Sequence, residues 1–208
     1  LLNQGNLLGE GKPKEMIDAF KQVLVGQYEI KDNGEENTLP ESVLNPELLE
    51  YGTKQAEITE FYITDDKNVK TTAVIKGSSF TIHVKVQFHE RIVAPIFAFS
   101  FKNVKGTEIT GTNTMIEKAF LEPVEAGNVK NVTFTQKMSL QGGEYLLSLG
   151  VTGYAGNDFQ VYHRLYDVLN ITVVSDKDTV GFYDMDSKVE VKGESVPAGR
   201  VIPYRQEA

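Results

Sequence analysis

The sequence predicts an all-β protein, an antiparallel β-sandwich with a short N-terminal helix, and three observations carry that reading. Phe80, Ile82, Val84, Val86 and Phe88 alternate with Thr81, His83, Lys85 and Gln87, the period of a strand buried on one face. Similar short segments rich in β-branched and aromatic residues recur after Tyr51, separated by Gly, Asn and Asp. Before that point the period is helical instead, with Met16, Ile17, Phe20, Val23 and Leu24 on one face.

In chain order, residues 1–25 hold a turn-rich start, then Pro13, whose missing N–H suits a first helical turn, then the apolar stripe. So short a helix must pack on something, whether the following domain or another body. Residues 26–50 read as a linker, polar through Asp32-Asn33-Gly34-Glu35-Glu36-Asn37 and broken by Pro40 and Pro46. Strands are expected at 54–64, 69–76, 80–88, 94–103, 107–112, 129–138, 143–153, 160–174 and 180–191, with turns at 103–106, 141–143 and 175–178. Strands so spaced pack as two layers around one core.

Composition narrows the partners. The 208 residues carry a formal charge of −8 and a pI near 5.0, which argues against nucleic acid, since a polyanion needs a basic footprint. A local basic site for a charged sugar is compatible with that balance. The absence of cysteine excludes disulfides and thiolate metal sites. No stretch approaches the roughly 18 apolar residues that cross a bilayer. The chain starts at Leu1 without a signal-peptide pattern, as expected of a piece of a longer protein.

Catalytic patterns are not found. There is no Gly-x4-Gly-Lys-Ser/Thr loop for phosphates and no Gly-x-Ser-x-Gly turn for a nucleophile. His83, His89 and His163 lack metal-ligand spacing, and Asp65-Asp66, Asp176/Asp178 and Asp184/Asp186 read as turns before they read as calcium ligands. No metal is assigned. Glycoside hydrolysis would need two carboxylates facing each other across a cleft, and Glu57, Glu60, Glu90, Glu108 and Asp167 are available in or beside strands.

Sugar binding asks for aromatic faces flanked by groups that bond hydroxyls. The richest segment holds Tyr154, Gln160, Tyr162, His163, Arg164 and Tyr166, and strict alternation puts Tyr162, Arg164 and Tyr166 on one face. Such a face is either a binding platform or a half-exposed sheet whose tyrosines bridge core and water.

The ordered set Tyr51-Gly52-Thr53, Pro95-Ile96-Phe97-Ala98-Phe99, Ile109-Thr110-Gly111-Thr112-Asn113-Thr114 and Gly143-Glu144-Tyr145-Leu146-Leu147-Ser148 resembles the C-terminal carbohydrate-binding domain of Wzt-type ATP-binding subunits. Those subunits belong to ABC exporters of O-antigen, teichoic-acid-like and related cell-surface polysaccharides. Leu7-Leu8-Gly9-Glu10-Gly11-Lys12-Pro13 and the stripe after it resemble the last strand, turn and helix of an ABC nucleotide-binding domain.

The resemblance implies an immunoglobulin-like sandwich at 51–208, preceded by the linker at 26–50 and by the end of an ATPase domain at 1–25. It implies non-catalytic recognition of a polysaccharide or its lipid-linked precursor at the cytoplasmic face of the bacterial membrane. A permease is reached through the parent ATPase, ATP and Mg²⁺ belong to that missing domain, and no cofactor is expected in this fragment. A homodimer is implied, with the strand near 180–191 as the candidate for exchange. The glycan contacts expected are Tyr162, Arg164, Tyr166, Tyr154, His163 and Gln160. Gly111, Thr112, Asn113 and Thr114 are expected to shape a strand end rather than touch sugar. The rival readings are a secreted carbohydrate-binding or adhesion module and a glycosidase-like β enzyme.

Overall fold

The computed structural model describes residues 2–3, 6–7, 10, 49–156 and 158–193, so the expected helix after Pro13 and nearly all of the expected linker lie outside the described residues. Every regular element among the described residues is a strand. β1 (Leu2–Asn3) and β2 (Asn6–Leu7) pair with each other. Next come β3 (Leu49–Tyr51), β4 (Ala56–Thr64), β5 (Ala73–Ile75), β6 (Ser79–Phe88), β7 (Ile96–Asn103) and β8 (Glu108–Asn113). β9 (Val129–Lys137), β10 (Gly143–Ala155) and β11 (Asp158–Val174) complete the set.

Two sheets result. The larger runs β3-β11-β10-β7-β8 with β5 on the far half of β11, and the smaller runs β4-β6-β9. All pairings are antiparallel except β5 with β11, which is parallel, a departure from the purely antiparallel expectation.

Alternation explains how the two sheets meet. Phe80, Ile82, Val84, Val86 and Phe88 all turn inward from β6, against Phe97, Phe99 and Phe101 of β7 and Leu147, Leu149 and Val151 of β10, in one continuous core. Edge-to-face contacts tie the sheets together: Phe80 meets Phe101 at 6.3 Å and Phe88 meets Phe97 at 6.4 Å. Burying each such ring is worth about 1.5–3 kcal/mol.

Two expected strands are corrected. The strand at 69–76 shrinks to β5, because the Asp65 carboxylate accepts the N–H groups of Lys67 and Val69 and makes a turn, and Thr71 bonds the backbone of Ala73. The strand at 180–191 does not form: one isolated bridge joins Leu140 to Tyr183, and Val180, Met185, Val189 and Val191 are exposed. Val189 and Val191 alternate like strand residues, but no strand among the described residues pairs with them.

β11 departs from simple alternation twice. Val151 pairs with His163 but Thr152 pairs with Val161, leaving Tyr162 as an extra residue. Further on, Leu149 pairs with Leu165 and Leu147 with Leu169, so 166–168 span the place of a single partner, and Asp167 takes φ 55°. A left-handed Asp is tolerable because its short side chain bonds locally.

Candidate functional site

The bulges decide which aromatic residues of β11 reach the surface. Leu165 stays with the core, while Arg164 lies opposite Gly150 and half-buried, beside half-buried Tyr166. A β-carbon on Gly150 would sit 3.1 Å from Arg164 Cδ and 3.1 Å from its Nη1, so the arginine lies flat on bare backbone. Its guanidinium carbon is 5.1 Å from the centre of the Tyr166 ring, and Lys102 Nζ is 4.6 Å from the same centre.

Tyr51 completes the arrangement. Its ring stacks on Tyr166 at 6.0 Å and 27°. β3 is held there by backbone pairing with Arg164, Leu165 and Tyr166, and the chain then turns through Gly52. Gly52 adopts φ 138°, and a side chain there would collide with the carbonyl of Tyr162, so only glycine lets the segment pass. Thr53 and Lys54 continue with N–H bonds to the carbonyls of Val161 and Tyr162. The Tyr51 phenol is pushed above its ordinary range, first by its interaction with Tyr166 and then by burial, with Arg164 pulling the other way.

The second bulge is pinned by polar contacts. Ser148 Oγ accepts the Asp167 N–H at 3.0 Å and donates to Asp167 Oδ1 at 3.2 Å, while Lys102 Nζ binds the same oxygen at 3.0 Å. Lys102 is thereby neutralised. Among the described residues no carboxylate lies within ion-pair distance of Arg164, and its Nε is covered without a partner.

The other expected site residues lie elsewhere. Tyr162 is 5% exposed and belongs to the core, its ring filling the space a side chain on Gly153 would need, and burial raises its phenol. Its expected place beside Arg164 and Tyr166 is corrected by the bulge.

His163 is 2% exposed. Its Nδ1 accepts the Ile58 N–H at 2.8 Å, so the neutral ring carries its proton on Nε2 and donates it to Glu50 at 3.0 Å. It joins three strands instead of facing a ligand. Tyr154 and Phe159 meet edge-to-face at 5.6 Å near the β10–β11 turn, both exposed, and Gln160 is half-buried beside them.

Gly111, Thr112, Asn113 and Thr114 act on the backbone and on one another's surroundings. A β-carbon on Gly111 would sit 2.6 Å from the Phe99 carbonyl oxygen, which is why β8 can lie so close to β7. Asn113 Oδ1 accepts the Ile116 N–H at 2.8 Å, Thr114 Oγ1 accepts the Phe97 N–H at 3.2 Å, and Thr112 donates to Glu117 at 2.6 Å.

Two further features were not anticipated from sequence. Glu50, Glu57 and His163 bring ligand atoms within 4.8 Å of one another. The histidine offers that cluster a proton rather than a lone pair, and Lys54 already bridges the two carboxylates, so the group is an ion-pair network. Lys54 first, and then its histidine, hold Glu50 and Glu57 below the usual carboxylate range. Separately, an open cleft of about 1380 Å³ runs between the edges of β8 and β9, lined by Phe99, Ile109, Phe120, Leu121 and Phe134. Its lining is mostly apolar, and Gln136 Nε2 is covered there without a partner.

The model of the Wzt C-terminal domain matches residues 48–185. The crystal structure of the C-terminal domain of wzt is 24% identical, covering 72% of this chain and 92% of that one with a TM-score of 0.67, and shows the same fold. Weaker likenesses include a CARDB domain from Pyrococcus furiosus, 14% identical over 59% of this chain and 97% of that one, with a TM-score of 0.33. An immunoglobulin-like protein from Pseudomonas aeruginosa is 11% identical over 59% of this chain and 98% of that one, with a TM-score of 0.30. Neither carries weight at such scores. No curated protein sequence matches.

Proposed function

The chain belongs to the Wzt C-terminal domain family, and from that premise we propose that it recognises, without catalysis, a cell-surface polysaccharide or its lipid-linked precursor. The carrying observation is the platform on the outer face of the large sheet, where stacked Tyr51 and Tyr166 lie beside Arg164 on the bare backbone of Gly150. The apolar face of a pyranose lies against a tyrosine ring, and Arg164 and the tyrosine hydroxyls bond its oxygens. Asp167, the carboxylate of this platform, is held by Lys102 and Ser148, which suits an anchoring role rather than general acid chemistry.

In this reading the immunoglobulin-like sandwich is the cargo reader of an ABC exporter's ATP-binding subunit, at the cytoplasmic face of the membrane. ATP and Mg²⁺ are bound by the ATPase domain, whose end supplies 1–25, and the permease is met through that domain. The subunit is a homodimer, with the exposed segment around Val189 and Val191 as a contact with a second copy.

The test is titration of the full chain with cell-envelope polysaccharides by calorimetry, with Arg164→Ala and Tyr166→Ala alongside. Both substitutions are expected to weaken binding at least about tenfold, some 1.4 kcal/mol, at nearly unchanged melting temperature. Undiminished binding by both folded variants places the site elsewhere, the cleft between β8 and β9 first. Release of reducing ends during incubation contradicts the non-catalytic reading.

A further inference from the structure

Resting on the glycan reading of the platform, we propose that the feature it selects is an acidic substituent, a carboxylate or phosphate carried by the polysaccharide and held by Arg164. The argument starts from how charges are disposed. The chain as a whole is acidic, at −8, and several cations on or beside its sheets are matched by carboxylates: Lys54 by Glu50 and Glu57, Lys76 by Asp184, Arg91 by Glu125, and Lys102 by Asp167. Arg164 is half-buried and, among the described residues, has no such partner.

A half-buried guanidinium without a counter-ion is unfavourable unless something else completes it. Tyr166 supplies a ring face on one side, but a ring does not occupy the N–H fork. Nε is already covered, so the remaining donors are the terminal nitrogens, the pair that meets a carboxylate or phosphate through two parallel bonds.

The seat is also specific in shape. Arg164 packs against the bare backbone of Gly150, where a β-carbon would press within 3.1 Å of it, and Tyr166 is fixed between Tyr51 and Lys102. Lys102 does not compete for the same anion, since Asp167 already neutralises it. One uncompensated, planar cation therefore stands at the centre of an otherwise neutral aromatic platform. A neutral sugar would leave it in the same unpaired state in which the free protein holds it, whereas an acidic one cancels it.

The experiment is a panel of acidic bacterial polysaccharides, each titrated into the full chain beside its own carboxyl-reduced or phosphate-free counterpart, with wild type, Arg164→Gln and Arg164→Lys. The acidic member of a pair is expected to bind at least tenfold more tightly than its neutral counterpart to the wild type. Arg164→Gln is expected to erase that ratio, and Arg164→Lys to restore part of it, because a point charge lacks the fork. Pairs that differ in carboxylate and pairs that differ in phosphate separate the two sources. Equal binding of acidic and neutral members by the wild type overturns the proposal while leaving the glycan reading intact, and so does an equal loss for both in Arg164→Gln. Failure of every member to bind, acidic or neutral, counts against the glycan reading itself. Gly150→Ala is the companion variant: it crowds Arg164 by a few tenths of an ångström without removing it, and it is expected to lower the acidic-to-neutral ratio.

Discussion

Two neighbouring pairs on β11 have opposite fates. Tyr162 and His163 are buried, one in the core and one bonded to strands on either side, whereas Arg164 and Tyr166 form the outer platform. All four are of types that commonly line binding sites. What separates them is backbone register: a single extra residue at Tyr162 and a three-residue excursion around Asp167 reassign the faces of the strand. Residue type alone is a poor guide to a site wherever a strand bulges.

The contrast predicts that substitutions at the buried pair damage the fold and those at the outer pair damage recognition. The largest effect is expected from Tyr162→Ala, which removes a buried ring and leaves a cavity, at about 3–5 kcal/mol of stability by denaturant melt. His163→Ala comes next at about 2–4 kcal/mol, because it strands the buried Ile58 N–H and releases Glu50 from its donor. Retention of stability by either variant would break the distinction. For the outer pair, Arg164→Ala and Tyr166→Ala are expected to shift stability by under about 1 kcal/mol while weakening glycan binding.

The smallest effect concerns acid. Lys177, then Lys76 and the Asp186 N–H hold Asp184 far below the usual carboxylate range, fastening the segment after Ser175 to the sheets. A depressed carboxyl stabilises fully above its unfolded value near pH 4, and the benefit is lost progressively as pH falls from there towards the lower folded value. The melting-temperature gap between wild type and Asp184→Asn should therefore be constant above about pH 5 and close below pH 4. A gap that widens on acidification contradicts this assignment.

The sequence made the core legible because the alternation from Phe80 to Phe88 is uninterrupted, and a slip of one residue would turn every one of those side chains to water. It made Arg164 and Tyr166 legible as chemistry. Two companions were not, since Tyr51 and Lys102 reach the platform from two other strands and nothing in local spacing records which strands are neighbours. The bulges were hidden for a related reason: Ser148, which cages Asp167, is distant in sequence, so the cause of the irregularity lies off the strand that shows it. The strand expected at 180–191 shows the converse failure, where alternation is present in Val189 and Val191 but no neighbouring edge among the described residues accepts it.

The central claim, that recognition resides on the outer platform and not within the buried half of β11, is tested most directly by one comparison: polysaccharide affinity of wild type, Arg164→Ala and Tyr162→Phe by calorimetry at matched folded concentration. The account predicts an affinity loss of at least about tenfold for Arg164→Ala and none for Tyr162→Phe. Equal affinity in wild type and Arg164→Ala, or loss confined to Tyr162→Phe, would contradict it.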